Sequence, residues 1–173
     1  MDFYDIVMPS CEFDDKFAKR LGLKGIFKCG ADIKLANADK QSSFPEGRFI
    51  AVGSNKNNLI AAARAGAAAV VVSDSRIDRK LMMELKEQKT ALILPTTLIT
   101  SSYNLERPKR LYMMGRLYSH AKRLGLDIGF ATMAESKANM CSYMQVIQLA
   151  RLVGADESQA RHGVSAVNPS IVD

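Results

Sequence analysis

The residues that could carry chemistry are concentrated in one basic segment, Leu105 to Phe130. Six Lys or Arg residues and a single acid, Glu106, lie between Leu105 and Gly125. The excess of positive over negative residues in this segment accounts for nearly all of the chain's net charge of +6. One stripe of the helix predicted there carries Lys109, Arg116, His120 and Arg123. A basic helix face suits a polyanion, whereas the alternative is a solvated surface helix, and the spacing alone leaves both interpretations open.

The segment itself is predicted to be a long helix followed by a strand. Pro108 suits the first helical turn, where its missing N–H removes no helix hydrogen bond. Gly125 is placed to end the helix, and LDIGFATM (126–133) then has the composition of a strand. A second stripe at helical spacing is apolar and predicts the buried face: Leu111, Met114, Tyr118 and Ala121.

Strand-like and helix-like segments alternate along the whole chain. The predicted strands are residues 3–9, 25–30, 32–36, 48–54, 67–74, 91–99, 126–133 and, at the C-terminus, 164–172. AAAVVVSD and ALILPTTLI are almost continuously apolar, which is typical of parallel strands buried on both faces, and Pro95 is expected near the end of the second strand.

Capping residues and apolar spacing predict the helices between these strands. Ser10 is a candidate N-cap for a helix that carries Phe13, Phe17 and Leu21. NKNNLIAAARAG (55–66) predicts a second helix, and Ile77, Leu81 and Leu85 mark a third. Two capping boxes predict the starts of helices near the C-terminus: Ser142 with Gln145, and Asp156 with Gln159.

This alternation predicts a single α/β domain over residues 1–173, with a parallel sheet and helices outside. A (β/α) barrel and an open doubly wound sheet both satisfy the pattern. The chain is shorter than the roughly 250 residues of a full barrel, and residues 30–47 have no helical period. The strand markers that we expect are Ile6, Ile26, Ile50, Val71, Ile93 and Ile128.

Composition predicts a soluble cytoplasmic protein. Cys11, Cys29 and Cys141 are scattered without a C-x-x-C pair, which is typical of reduced, buried thiols rather than disulfides or zinc ligands. The N-terminus lacks a secretory signal, and no apolar run reaches the ~20 residues of a membrane helix. We therefore expect no membrane association.

The sequence motifs of common metal, nucleotide-binding and catalytic sites are mostly missing. His120 and His162 do not pair at metal-ligand spacing, and no Walker A, dinucleotide-binding or nucleophile-elbow motif is present. The turn AVGSNKNN could present backbone N–H groups to a phosphate, although a helix cap at Ser54 or Asn55 explains it more simply. Three acids near predicted strand ends are candidates for general acid or base chemistry if a barrel brings them together: Asp5, Asp74 and Asp127.

The order of motifs resembles ribonuclease P protein component 3, an archaeal and eukaryotic subunit with a metal-free TIM-like barrel. FYDIVMPSCEFDDKFAKRLGLKGI is similar to that family's first strand, helix and second strand, and ARAGAAAVVVSD is similar to its helix, glycine and Val/Ile strand. The strongest match covers the last 80 or so residues. There ALILPTTLI leads through the basic helix to ATMA, and QVIQLARLVGADESQARHGVSAVNPSIV closes the chain.

The resemblance implies a barrel that is trimmed between Gly30 and Gly47. It also implies that the chain binds the catalytic RNA of ribonuclease P, together with protein component 2 and other protein subunits. The assembly performs 5′ maturation of precursor tRNA, which this chain would meet only indirectly. The endoribonuclease chemistry would belong to the RNA and its Mg²⁺ ions, so we expect no catalytic residue, metal or cofactor on this chain.

The charge pattern agrees with this resemblance. The candidate phosphate contacts are Arg107, Lys109, Arg110, Arg116, Lys122, Arg123 and, after the next strand, Lys137. The low aromatic content, 7% with no Trp, argues against a protein that stacks a series of single-stranded bases. Phosphate and shape contacts are therefore expected to dominate.

Two other functions remain open from the sequence. A small metal-dependent TIM-barrel phosphoesterase would use Asp5, Asp74 and Asp127, but related phosphoesterases use clusters of His and Asp, and this chain has only two histidines. A non-catalytic scaffold would instead use the basic helix to bind an acidic protein.

Overall fold

The computed structural model describes residues 2–41, 43–73 and 79–172. Within these ranges the strands are β1 (Tyr4–Val7), β2 (Gly25–Lys28), β3 (Lys34–Asn37), β4 (Phe49–Gly53), β5 (Ala67–Val72), β6 (Ala91–Pro95) and β7 (Ile128–Ala131). β1 and β2 form a two-stranded sheet, and β3 to β7 form a five-stranded sheet in chain order. Every pairing is parallel, which confirms the predicted α/β class. All six predicted strand markers lie on these strands.

Backbone hydrogen bonds connect the two sheets on both sides. Beside β7, the N–H of Met133 donates to the carbonyl of Ile6 at 2.8 Å, and the N–H of Met8 donates to the carbonyl of Ala134 at 3.0 Å. Beyond β2, Cys29 and Ile33 form a single parallel bridge on the way to β3. The small sheet therefore lies between the two edges of the larger one.

Helices follow β1 and each strand from β4 to β7, whereas the described residues between β2 and β4 contain none. Their bounds are α1 (Asp15–Arg20), α2 (Lys56–Arg64), α3 (Arg79–Glu87), α4 (Thr97–Thr100), α5 (Glu106–Leu124), α6 (Tyr143–Leu152), α7 (Glu157–His162) and α8 (Asn168–Val172). A short 3₁₀ helix (Lys137–Asn139) precedes α6, and a π-helix (Gly163–Val167) joins α7 to α8.

β5 and β6 are buried on both faces, as their apolar runs predicted. Ile6, Ile50 and Ile93 belong to a cluster that α8 also joins, through Ile171. The alternate positions of the same strands pack against α2, α3, α5 and α6, for example Phe49, Leu92 and Phe130. The sheets thus lie between an inner core and a layer of helices.

Most helix boundaries agree with the local signals. Both predicted capping boxes form, at Ser142 with Gln145 and at Asp156 with Gln159. Asn55 caps α2, and Gly125 ends α5 with a left-handed φ of 70°. Ile77, which we assigned to the third helix, lies outside the described residues.

The trimmed region also agrees with the prediction. β3 begins at Lys34, close to the predicted strand at 32–36, and the described residues between β3 and β4 contain no helix.

The first helix begins later than predicted. Ser10 is not its N-cap, because Asp14 takes that position and its Oδ1 accepts a hydrogen bond from the N–H of Phe17 at 2.7 Å. Ser10 instead donates its hydroxyl to the carbonyl of Glu135 at 3.1 Å. A long-range contact with the segment after β7 therefore holds residues that the local pattern assigned to the helix.

The sixth strand is shorter than predicted. β6 ends at Pro95, and Thr97–Thr100 form α4 instead of continuing the strand to residue 99. Pro95 has no N–H for a further ladder bond, and the hydroxyl of Thr97 donates to the carbonyl of Thr132 at 2.8 Å. The chain turns into a helix at that point.

The C-terminal strand that we predicted at 164–172 is wrong. The segment is helical, as a π-helix followed by α8. β1 already has β2 on one side and residues after β7 on the other, so it offers no free edge to another strand. From this helical segment, the side chain of Asn168 contacts both strands. Its Nδ2 donates to the carbonyl of Tyr4 in β1 at 2.9 Å and to the carbonyl of Phe130 in β7 at 2.8 Å.

Candidate nucleic-acid interface

α5 presents the basic segment because its apolar face is buried against the sheet. The buried residues are Met114, Leu117, Tyr118 and Ala121. The ring of Tyr118 lies 6.0 Å from that of Phe130 in β7, and its hydroxyl donates to Oε1 of Gln159 in α7 at 2.6 Å. Two neighbouring elements therefore fix the rotation of α5 about its axis and leave its remaining faces toward solvent.

Arg116 and Arg123 lie on the exposed face of α5. The guanidinium of Arg116 lies 5.9 Å from the ring centroid of Tyr112. Arg123 donates from Nε to the carbonyl of Ser119 at 3.3 Å, and its Nη2 lies 3.2 Å from both ring nitrogens of His120. Neither arginine forms an ion pair with any residue in the described part of the chain. Both charges are available to an anion.

The two lysines of α5 have weak partners. Nζ of Lys109 lies 3.6 Å from a carboxylate oxygen of Glu106, and both side chains are mostly exposed. An exposed pair of this kind contributes about 0–1 kcal/mol, so it does not hold Lys109 away from a phosphate. Lys122 donates to Oε1 of Gln159 at 3.0 Å and lies over the ring of Tyr118, which places it on the side of α5 that meets α7.

Arg107 and Arg110 belong to the first turns of α5. Arg107 is exposed and borders a groove of about 330 Å³ that Cys141 and Met144 also line. Arg110 is half-buried. At about 1.5 Å per residue, Arg107 and Arg123 are roughly 24 Å apart along the helix. At about 100° per residue, Lys109, Arg116 and Arg123 share one face of α5, which we call the basic strip, whereas Arg107 lies on the side opposite Arg116.

Lys137 is separate from this strip. It lies in the 3₁₀ helix, where its Nζ is 3.4 Å from a carboxylate oxygen of Asp14 and 5.5 Å from the ring centroid of Phe17. Its contacts are thus with α1, and the structure does not bring it together with the basic residues of α5.

A groove of about 700 Å³ runs between the exposed face of α5 and the C-terminal end of α6. Four basic or imidazole side chains of α5 line it, together with exposed apolar groups: Arg116, His120, Lys122, Arg123, Tyr112 and Leu152. Among the described residues that line this groove there is no Asp or Glu. The groove therefore combines concentrated positive charge with an apolar surface.

Gly115 allows the two walls of this groove to approach each other. A Cβ atom at this position would lie 3.3 Å from the carbonyl oxygen of Val153, at the C-terminal end of α6. That separation is tighter than most real Cβ contacts. Glycine at this helix position thus reflects close packing of α5 against the end of α6.

Tyr112 and Leu152 line the groove but were not among the candidate residues predicted from the sequence. Tyr112 is 65% exposed and Leu152 is 67% exposed, although both are large and apolar. The spacing contained a signal for Tyr112, because it lies four residues before Arg116 and so shares its helix face. No local signal placed Leu152 beside them, since it comes from a different helix.

Asp5 is buried between β1 and the end of β7. Its Oδ1 accepts hydrogen bonds from the N–H groups of Ile6 at 2.9 Å and Thr132 at 2.7 Å, and its Oδ2 accepts one from the Thr132 hydroxyl. Burial raises the pKa of Asp5 to about 6, while these hydrogen bonds act in the opposite direction. With 2% exposure, this carboxyl joins two strands and does not face an open site.

Asp5 and Asp127, two of the three candidate acids, do not meet at one end of the sheet. Asp127 is exposed and precedes β7, whereas Thr132, the partner of Asp5, follows β7. The length of the strand therefore separates Asp5 from Asp127, and Asp74 lies outside the described residues. Within the described ranges, no group of three or more His, Cys, Asp or Glu side chains could hold a metal ion.

The turn after β4 is occupied by a carboxylate of the chain itself. The N–H groups of Ser54 and Asn55 donate to Asp39 at 2.6 and 3.0 Å, and the Asn55 side chain caps α2. These backbone groups are the ones that a phosphate would need. The structure thus favours the cap over the phosphate site.

The three cysteines and His162 are the remaining residues that the sequence singled out. Cys11, Cys29 and Cys141 are buried and form no disulfide, and burial raises the pKa of the Cys29 thiol to about 12. His162 ends α7 and borders a groove of about 310 Å³ with Asp127. None of the helices in the described ranges combines the length and apolar character needed to cross a membrane.

Comparison with known proteins gives similarity at the level of structure. No family model and no curated protein sequence matches the chain. An uncharacterized protein has a TM-score of 0.58 at 11% identity over 73% of this chain, and A. niger ochratoxinase has a TM-score of 0.54 at 18% identity over 70% of this chain. This chain spans about a third of the length of those two proteins, with 34% and 30% of each covered.

A third structure matches over nearly the full length of both chains. It is a chain in the cryo-EM structure of an archaeal ribonuclease P with mature tRNA, with a TM-score of 0.69 at 12% identity. The match covers 98% of this chain and 90% of the other. At such identities the likeness concerns the fold: all three structures share the α/β arrangement of parallel strands found here.

Proposed function

We propose that this chain is a protein subunit of ribonuclease P that binds the catalytic RNA through α5. In this role it supports 5′ maturation of precursor tRNA by holding the RNA fold, and the other protein subunits, protein component 2 among them, are its protein partners. It meets precursor tRNA only indirectly.

The observation that carries the proposal is the exposed basic strip of α5. Arg116 and Arg123 are exposed, lie on one helix face and have no acidic partner among the described residues. In a helix with a purely structural role, we would expect basic side chains that are buried or paired with acids of the same chain. Exposed arginines without an acidic partner can instead bind phosphate oxygens. Lys109 lies on the same face, and Arg107, Arg110 and Lys122 would contact RNA from other faces of α5. Lys137 would form a separate contact from the 3₁₀ helix.

The fold supports the same proposal. We infer one domain over residues 1–173, in which the two sheets close into a seven-stranded barrel through the hydrogen bonds of Ile6 with Met133 and the bridge of Cys29 with Ile33. The absence of a helix between β3 and β4, within the described residues, is the trimmed feature of this barrel. The likeness to a chain of an archaeal ribonuclease P over 98% of this chain fits this proposal.

The chemistry of the reaction would belong to the RNA and its Mg²⁺ ions. Mg²⁺ prefers oxygen ligands such as carboxylates, and the groove on α5 presents cations instead. The α5 surface therefore suits the phosphates of the RNA and not a metal ion of its own. The residues of this chain would neutralise phosphates and orient the RNA.

The salt dependence of RNA binding tests the proposal. Each Lys or Arg that contacts a phosphate releases condensed counterions, so the logarithm of affinity should fall linearly with the logarithm of salt concentration. The double substitution Arg116→Ala and Arg123→Ala should weaken binding of ribonuclease P RNA at every salt concentration. It should also flatten the slope by about one unit, or slightly less, for each lost contact. Fluorescence anisotropy of the labelled RNA measures both quantities.

The matched control is the double substitution Lys80→Ala and Lys86→Ala on α3. These residues share their helix with Glu84 and Glu87, so their removal should affect RNA binding much less. If both double variants weaken binding equally, the charge acts as a diffuse field and α5 is not the interface. If neither has an effect, α5 faces protein or solvent, and the proposal is wrong.

A further inference from the structure

The groove between α5 and the end of α6 has features that phosphate binding alone does not require. Its volume of about 700 Å³ is within the range of small-ligand sites, which is roughly 300–1,000 Å³. Tyr112 and Leu152, both about two-thirds exposed, lie among its basic side chains. A surface that bound only a phosphate backbone would need the arginines and not these apolar groups.

The chemistry of the lining indicates what would fill the groove. An unpaired nucleotide carries a negative phosphate and a flat, apolar base face in one small unit. Bases that are not stacked in a helix are bound by aromatic rings and arginine planes. Tyr112 supplies the ring, and Arg116 lies 5.9 Å from its centroid. Arg123, on the same side of the helix, supplies a second cation for the phosphate.

We propose that this groove binds one unpaired nucleotide of an RNA strand, with its base stacked on Tyr112 and its phosphate held by Arg116 and Arg123. This inference rests on the proposed RNA-binding function and adds the structural class of RNA that the site recognises. A single stacked base is compatible with the low aromatic content of the chain, which argues only against stacking a series of bases. Leu152, from the end of α6, adds an exposed apolar group to the same lining.

A protein helix is the competing occupant, and the charges disfavour it. The lining contains Arg116, Lys122 and Arg123, while the described lining residues include no acid. A partner helix would therefore need an excess of acidic residues on the face that also carries its apolar anchors. The nucleotide combines the two properties without that requirement.

Three RNA hairpins of the same stem test the inference with the full chain. The first carries a three-nucleotide bulge, the second carries the same bulge with abasic sugars, and the third is fully paired. The wild-type chain should bind the first more tightly than the other two by about 5- to 100-fold, as expected for one stacked base. Tyr112→Ala should remove this preference and leave affinity for the abasic and paired hairpins unchanged. Tyr112→Phe, which retains the ring, should keep it.

Tyr103→Ala is the matched control, because Tyr103 is also exposed, at 78%, but does not line the groove. It should leave all three affinities unchanged. Circular dichroism and the melting temperature should be the same for all variants, since both tyrosines are exposed. The salt slope should also be unchanged in Tyr112→Ala, because no phosphate contact is lost.

Failure of this inference is distinguishable from failure of the proposed function. If the wild-type chain binds all three hairpins equally with a steep salt slope, RNA binding stands and the nucleotide site is wrong. The same conclusion follows if Tyr112→Ala weakens all three equally, or if Tyr112→Phe loses the preference. If the chain binds no hairpin and no ribonuclease P RNA at any salt concentration, both proposals fail.

Discussion

Asp5 is fully buried and yet accepts three hydrogen bonds, from Ile6 and twice from Thr132. Burial raises its pKa from 3.8 to about 6 because the charged form loses its hydration. The folded protein therefore binds the proton more tightly than the unfolded chain does. Stability from this group is fully present below pH 4 and is lost as the pH rises through about 6.

Asp5→Asn should remove this dependence. The wild-type free energy of unfolding should fall, relative to that of the variant, by on the order of 3 kcal/mol between pH 4 and pH 7.5. Urea unfolding of both proteins at the two pH values measures the difference between their free energies of unfolding. The contributions of the other titrating groups are the same in both proteins and cancel in this difference. Asp127→Asn, at an exposed position, is the control and should follow the wild type. Parallel curves for wild type and Asp5→Asn would show that Asp5 is not the titrating group.

At the scale of elements, α5 and α8 contact the strands in two different ways. α5 buries one face and exposes the other, as its two stripes predicted. α8 instead supplies a single polar side chain to the strands. Asn168 is fully buried, and its Nδ2 bridges the carbonyls of Tyr4 in β1 and Phe130 in β7. This amide therefore connects β1 to β7 through one side chain.

Asn168→Ala should destabilise the protein by about 2–4 kcal/mol. The change leaves two carbonyls without their donor, and each lost partner of a buried group costs about 1–3 kcal/mol. For a chain of 173 residues this corresponds to a decrease in melting temperature of roughly 5–15 °C. Asn57→Ala, on the exposed surface of α2, should change stability by no more than about 0.5 kcal/mol. Equal melting temperatures for the two variants would contradict the bridging role of Asn168.

At the scale of the whole molecule, the helices form a layer outside the parallel strands, and the basic strip lies on that layer. The acidic candidates are elsewhere: Asp5 is between strands, and Asp127 is at the opposite end of β7 from Thr132. Because these carboxyls are not brought together, they have no common substrate position.

We therefore expect the isolated chain neither to cleave precursor tRNA nor to hydrolyse phosphate esters, with or without a divalent metal. Addition of the chain to ribonuclease P RNA and the remaining protein subunits should instead increase cleavage of precursor tRNA. Gel assays of labelled precursor tRNA measure both results. Turnover by the highly purified chain that disappears in Asp5→Asn or Asp127→Asn would overturn this expectation.

Local patterns were sufficient wherever the physical cause was local. Apolar runs predicted the buried strands around Ile50, Val71 and Ile93 because both faces of a parallel strand need apolar side chains. The capping boxes at Ser142 and Asp156 predicted helix starts because the cap and its partner are only three residues apart. The basic face of α5 followed from the helical period alone. Whether that face binds RNA stays a prediction.

Only the tertiary structure decided features that depend on residues far apart in the chain. Ser10 bonds to Glu135 instead of capping α1, and Asn168 reaches β1 and β7 from a segment whose composition predicted a strand. The groove on α5 likewise needs Leu152 from α6. By itself, the sequence determined most of the strands and helices and the charged helix face, because these follow from residues a few positions apart. The tertiary structure decided which atoms meet, because hydrogen-bond partners and groove walls are set by packing between distant segments.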